Sequence, residues 1–183
     1  MTVALKTFEP RTGADEFTIR PAVREDMTKV AEFVRSSAEW YRPIVDEADM
    51  AEHEVGSEWA EVNFKRRDFY IGAVGDEQIG TISLQYFGDF AYLGYIYLDV
   101  EHVGNGYGQQ LMEFAEETAR EAGMKGLALI AHPQATWAKR AYLKYGFDIV
   151  ETEKDRVTSW ENGVLEPYYE EGFELYLYHF DRD

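Results

Sequence analysis

The chain contains no cysteine. It therefore forms no disulfide, offers no thiolate nucleophile and builds no zinc site that uses sulfur. An acyl-transfer route through a modified cysteine is closed for the same reason. The four histidines, His53, His102, His132 and His179, are scattered without the pairing that metal ligands show in sequence, so no metal is expected. Basic residues are scarce: 18 lysines and arginines stand against 35 aspartates and glutamates, a net charge of −17. A field of that sign repels a nucleic-acid backbone, and nucleic acid is set aside as a partner. No apolar run approaches the roughly 18–20 residues of a membrane helix. The first residues carry no basic region followed by an apolar core, so no signal peptide is expected. These absences lead to the expectation of a cytoplasmic protein without membrane contact.

What is present suffices for a core. Of 183 residues, 45% are hydrophobic and 15% aromatic, which suits a folded domain rather than a disordered chain. Residues 1–15 show no periodicity and read as an N-terminal arm. Residues 16–183 read as one domain, without a linker or an internal repeat. The acidic residues are spread over nearly every segment. That distribution speaks for solubility, for instance in a salt-rich cytoplasm, more than for a site that attracts cationic amines.

Residues 95–112 organise the rest. Tyr95-Ile96-Tyr97-Leu98-Asp99-Val100 has strand character, Gly104, Gly106 and Gly108 follow at alternate positions, and a helical pattern starts without a break. A helix start has unpaired N–H groups and a partial positive charge, and glycines let a ligand approach them. The order strand, glycine turn, helix start therefore suits a phosphate or pyrophosphate. The spacing is neither the dinucleotide fingerprint nor a P-loop, and alone it is a weak signal.

The flanks add context. Phe17–Pro21 reads as a strand, and Asp26 opens a helix with Met27, Val30, Ala31 and Val34 on one face. A second helical stripe runs from about Glu47 to Phe64 through Ala51, Val55, Trp59 and Val62. Three strands, Asp68–Val74, Gln78–Phe87 and Ala91–Val100, are joined by turns too short for a parallel crossover and form an antiparallel meander. After the glycines, Leu111, Met112, Ala115, Ala119 and Ala122 line one helix face, and Gly123 stops it. The apolar run Leu127–Ala131 is a strand buried on both faces, parallel to the one ending at Val100. A helix at Gln134–Tyr145, a strand at Phe147–Thr152, a turn at Glu161-Asn162-Gly163 and a last strand at Phe173–Phe180 complete the chain.

This layout resembles the GNAT superfamily of acetyl-CoA-dependent N-acyltransferases. The resemblance rests on Thr18-Ile19-Arg20-Pro21-Ala22 with Glu25-Asp26, on Gly106 and Gly108 in the glycine motif, and on Ala138, Tyr142, Gly146 and Phe147, spaced as in the family's Ala-x-x-x-Tyr-x-x-x-Gly-Phe run. It is close over about residues 16–152. Val103 replaces the family's usual Gln or Arg, and Ala135 replaces a common Asn. The implied fold is α/β (α+β): a mixed, mostly antiparallel sheet of six to seven strands, helices on both faces, and a splayed central strand pair.

The resemblance also implies a chemistry, acetyl transfer from acetyl-CoA to a primary amine by direct attack. Leu98 and Val100 would pair with the pantetheine arm. Gly104, Asn105, Gly106, Tyr107 and Gly108 would wrap the pyrophosphate, flanked by Val103 and Gln109. Tyr142 matches the family's tyrosine that protonates the leaving thiolate. For the base, His132 and, less so, Asp99 and Glu101 are candidates beside solvent. Tyr168, Tyr169, Glu166, Glu170 and Glu171 would border the acceptor, an amine on a small molecule or a protein. A non-catalytic acyl-CoA sensor on the same fold and a nucleotide-phosphate binder are the alternatives. Many relatives form dimers, and the aromatic last strand offers an edge for a homodimer.

Overall fold

The computed structural model describes residues 6–8, 16–50 and 55–181. Most of the expected arm, together with Ala51 and His53, lies outside the described residues. Eight strands form one sheet in the order β1-β2-β3-β4-β5-β6-β8-β7. They are β1 (Lys6–Phe8), β2 (Phe17–Pro21), β3 (Asp68–Val74), β4 (Glu77–Phe87), β5 (Phe90–Leu98), β6 (Gly126–Ala131), β7 (Asp148–Glu151) and β8 (Glu174–His179). All neighbours pair antiparallel except β5 and β6, which are parallel as the sequence predicts. The helices are α1 (Met27–Tyr41), α2 (Glu47–Met50), α3 (Ser57–Arg66), α4 (Tyr107–Glu121), α5 (Thr136–Tyr145) and α6 (Lys154–Ser159).

Strand alternation sets the two faces of the sheet. Along β3, Phe69 and Ile71 pack with Met27, Val30 and Trp59 beneath α1 and α3. Tyr70, between them, faces the other way and meets Phe114 of α4 edge-on, with ring centroids 4.8 Å apart. On that side Leu111, Met112, Phe114, Ala115 and Ala119 join the main core, so four of the five residues predicted for the buried face are buried, while Ala122, just past the end of α4, is exposed.

Three local expectations change. The stripe from Glu47 to Phe64 is not one helix: α2 ends at Met50 and α3 starts at Ser57. Val62 is exposed, while the neighbouring Asn63 is buried. Lys6–Phe8, inside the segment read as an arm, pairs with β2 and extends the sheet to eight strands. The helix α6 is not evident from the sequence pattern, because its six residues are too few to show a period.

The sheet splits between β5 and β6. Their register covers only Phe90–Tyr92 opposite Gly126–Ala128, although β5 runs on to Leu98. The cause lies on the other side of β5. Thr81 of β4 faces Tyr97 and Ser83 faces Gly94, so Tyr95 and Ile96 together oppose Ile82. This is a bulge, which bends its strand and sharpens the twist. Tyr95 sits at φ 48, a strained position for an aromatic residue. Its hydroxyl accepts a hydrogen bond from Trp59 Nε1 at 3.3 Å.

Asp26 ties β2, β4 and the start of α1 together. Its carboxylate accepts from Arg20 Nη1 and Nη2 at 2.7 and 2.9 Å, from the Val23 N–H at 2.7 Å and from Gln78 Nε2 at 3.1 Å. Arg20 above all, against the opposing effect of burial, holds its pKa below the usual carboxylate value. A depressed pKa contributes stability that is complete above the unfolded value, near ~4, and is lost as pH falls through the folded value. Asp26→Asn is expected to cost about 1–3 kcal/mol at neutral pH. In thermal melts of both proteins that gap should shrink below about pH 4, and a gap that stays constant to the acid end would contradict this account.

Candidate active site

A one-turn 3-10 helix at Val100–His102 leads from β5 into the glycines. Gly104 and Gly106 have φ of 91 and 83, left-handed values that glycine alone adopts without penalty. A β-carbon on either would meet nothing within 4 Å, so backbone conformation rather than crowding asks for glycine there. At Gly108 it would touch only Leu98, at 3.5 Å. α4 starts with Gly106 as N-cap and has no side-chain cap. The helical ladder begins with Gln110 N–H donating to the Gly106 carbonyl at 3.2 Å. The N–H groups of Tyr107, Gly108 and Gln109 have no acceptor inside the helix and face the loop.

A groove of about 770 Å³ runs from this helix start along β5 to α5. Leu98, Val100, Val103, Gly104, Gly106, Gly108 and Gln109 line it. Of the nine predicted cofactor residues, Asn105 and Tyr107 do not. Asn105 turns back to donate to the His102 carbonyl at 3.2 Å. The Tyr107 ring packs 4.8 Å from Phe17 on the core side, so only its backbone faces the loop. Val100 and Val103 are exposed apolar residues on the groove wall. At its far end Trp40 of α1 and Trp137 of α5 meet edge-on, 5.3 Å apart. Glu113, Glu116 and Lys144 are its charged residues. Any anion at the α4 start is therefore held by backbone N–H groups more than by cationic side chains.

A smaller cavity, about 210 Å³, lies beyond the groove. Tyr41, Ile96, Tyr97 and Tyr142 line both spaces and form the junction between them. Tyr142 rests edge-on against Tyr176 at 5.7 Å and Phe147 at 6.0 Å. Burial pushes its phenol pKa far up, and Tyr41, Tyr176 and Tyr92 add to the shift. Burial also raises Tyr97 well above its usual value and takes Tyr41 to about 12. All three stay protonated at physiological pH.

His132 is buried on the wall of the smaller cavity. Its Nδ1 accepts the Gln134 N–H at 3.1 Å, which leaves the proton on Nε2. This tautomer offers a donor at Nε2 rather than the expected base. Asp99 and Glu101 line neither space. Asp99 instead joins His102 and Glu77, with their ligand atoms all within 4.8 Å of one another. Glu77 comes from the β3–β4 hairpin, so sequence spacing did not bring it next to His102. From the expected acceptor border, Tyr168, Tyr169 and Glu170 line the smaller cavity, while Glu166 and Glu171 do not. Asp49 and Arg67 join them there. No local pattern marked either residue.

The fold is thus a splayed mixed α/β sheet, with an uncapped helix start at one end of the split and a tyrosine junction along it. The chain belongs to the GNAT acetyltransferase family, whose profile, described as Acetyltransferase (GNAT) family, matches residues 30–147. That stretch contains the glycine loop and Tyr142. Among solved structures it is similar to the PaiA N-acetyltransferase of Thermoplasma acidophilum in complex with coenzyme A. There the TM-score is 0.73 at 21% identity, over 90% of this chain and 99% of that one. A GNAT-family acetyltransferase of Listeria monocytogenes gives a TM-score of 0.68 at 15% identity, over 96% and 100%. Ard1 of Thermoplasma volcanium gives 0.67 at 18%, over 89% and 97%. At these identities the likeness is one of fold. No curated protein sequence matches the chain. Among the described residues no helix is long and apolar enough to cross a membrane.

Proposed function

We propose that the protein transfers acetyl from acetyl-CoA to a primary amine by direct attack of the neutral amine. One observation carries this reading: a single split in the sheet joins the uncapped start of α4 to the Tyr142 junction, along the side of β5 that β6 leaves after Tyr92. A flexible chain with phosphates at one end and a reactive carbonyl at the other fits such a path. The fold neighbour from Thermoplasma acidophilum holds coenzyme A.

Acetyl-CoA supplies an activated thioester. The N–H groups opening α4 bind the pyrophosphate, and Gly104 and Gly106 keep the approach clear. The free edge of β5, from Ile96 to Leu98, pairs with the amides of the pantetheine arm and donates to the carbonyl oxygen as charge builds on it. Tyr142 delivers a proton or hydrogen bond to the leaving sulfur as the carbon–sulfur bond breaks and the carbon–nitrogen bond forms. The amine proton leaves to water on the side lined by Asp49 and Glu170.

Calorimetric titration with acetyl-CoA, CoA and ADP tests the first step. Acetyl-CoA and CoA should bind, and ADP should bind far more weakly because it lacks the arm. The net charge of −17 and the nearby Glu113 and Glu116 oppose an anionic ligand. Screening weakens that repulsion, so affinity should rise with added salt. Folded protein that binds neither CoA form at any salt concentration would defeat the proposal.

A further inference from the structure

The smaller cavity has a feature that acetyl transfer alone does not use. Arg67 caps the C-terminal end of α3, and only 6% of it is exposed. Tyr95 and Tyr168 cover its guanidinium at 4.8 and 4.6 Å from their ring centroids. Its Nε donates to Asn63 Oδ1 at 3.2 Å, and Asn63 is held in turn by donating from Nδ2 to the Trp59 carbonyl at 3.0 Å. Tyr168 is fixed as well, its hydroxyl accepting from Gln85 Nε2 at 3.1 Å. With two rings against the guanidinium and its Nε edge occupied, the Nη groups are left for the cavity that Arg67 lines. Among the described residues they donate to no acceptor and form no ion pair. A guanidinium stays charged when buried, and leaving such a charge unpaired is costly.

We propose that this cavity takes an amine that also carries a carboxylate, which Arg67 binds through its free Nη groups. This inference rests on the acetyltransferase reading and names its substrate class. A guanidinium held by two rings and by a hydrogen bond on Nε keeps its Nη pair for two parallel hydrogen bonds to a carboxylate. Gly94, on the β5 bulge, makes the room: a β-carbon there would lie 2.5 Å from Arg67 Nη1. Asp49 and Glu170 line the same cavity and suit the cationic amine before it loses its proton. The cavity thus presents both charges of an amino acid or a similar amino-carboxylate. In a protein of net charge −17, the overall field repels a carboxylate, so a dedicated cation is needed to seat one.

The test compares L-amino acids with their amides, for example glycine, L-alanine and L-glutamate against the matching α-amides. Acetylation and binding to the CoA-saturated protein are both read. The α-amine of an amide is less basic and supplies more neutral amine, so intrinsic reactivity favours the amides. Arg67 should reverse this, with kcat/KM for the best acid on the order of 100-fold above its amide. Arg67→Gln should bring the pair within a few-fold of each other, mainly through KM, with CoA affinity unchanged. Gly94→Ala, which crowds Arg67 Nη1, should raise KM for the acid more than for the amide. Amides used as well as acids, or no binding and no turnover across the acids, would overturn the inference while CoA binding leaves the acetyltransferase reading standing. Loss of CoA binding in the wild type would instead defeat that reading. If Arg67→Gln does not fold, Arg67→Lys and the wild-type comparison still decide, because lysine keeps the charge but not the paired geometry.

Discussion

Tyr142→Phe is expected to lower kcat by about 100- to 1,000-fold while leaving acetyl-CoA affinity and the fold nearly unchanged. The hydroxyl makes no hydrogen bond to any described residue, and the ring's contacts with Tyr176 and Phe147 are aromatic. Phenylalanine keeps those contacts and strands no partner, so stability should move by less than about 1 kcal/mol. Only the proton offered to the departing sulfur is lost. The pH profile adds a second check. Because burial raises the phenol pKa far above its usual value, Tyr142 remains an acid in alkaline solution. The rate should rise as the amine deprotonates and show no fall near pH ~10, where an ordinary tyrosine would ionise. A variant with undiminished kcat at saturating substrate would remove Tyr142 from the mechanism.

Gly106→Asp is expected to abolish most of the cofactor affinity without unfolding the protein. A β-carbon at this position meets nothing within 4 Å, so there is room for the side chain. The left-handed backbone costs a non-glycine residue about 1–2 kcal/mol, and Asp tolerates it better than most. A carboxylate beside the uncapped start of α4 regains part of that cost through the helix dipole. The same carboxylate competes with the pyrophosphate for the N–H groups. At ~5 Å and an effective dielectric of ~20, two like charges repel by about 3 kcal/mol. That corresponds to a loss on the order of 100-fold in affinity, and it should shrink in high salt. Calorimetry beside a thermal melt reads both quantities. Unchanged affinity would place the pyrophosphate elsewhere, and loss of fold would show that Gly106 serves stability more than binding.

The sequence alone determined the order of most elements, all but β1, α6 and the division of α2 from α3, because apolar periodicity and turn residues are local signals. The meander β3-β4-β5 followed from turns too short for a crossover, and the parallel β6 from the strand–helix–strand order around α4. The glycine loop was legible for a related reason. A strand that ends in glycines before a helix exposes N–H groups wherever it occurs, and Gly104 and Gly106 have the positive φ that only glycine takes freely. Tyr142 was found through its spacing to Gly146, and the fold sets it at the junction of the two cavities.

Tertiary structure decided the rest. Asp99 and Glu101 are next to the glycine loop in sequence, yet they line neither space, whereas Asp49 and Glu170 arrive from distant segments. His132 became a donor through one hydrogen bond from the backbone of Gln134, an event of geometry rather than of residue type. The split of the sheet depends on a bulge that seats Tyr95 at φ 48, and no residue there announces it. Arg67 is held by Asn63, Tyr95 and Tyr168, three partners from separate parts of the chain. Periodicity reports which face of an element is buried. It does not report which side chains of different elements converge on one point, because packing sets that convergence, and the smaller cavity consists of such convergences.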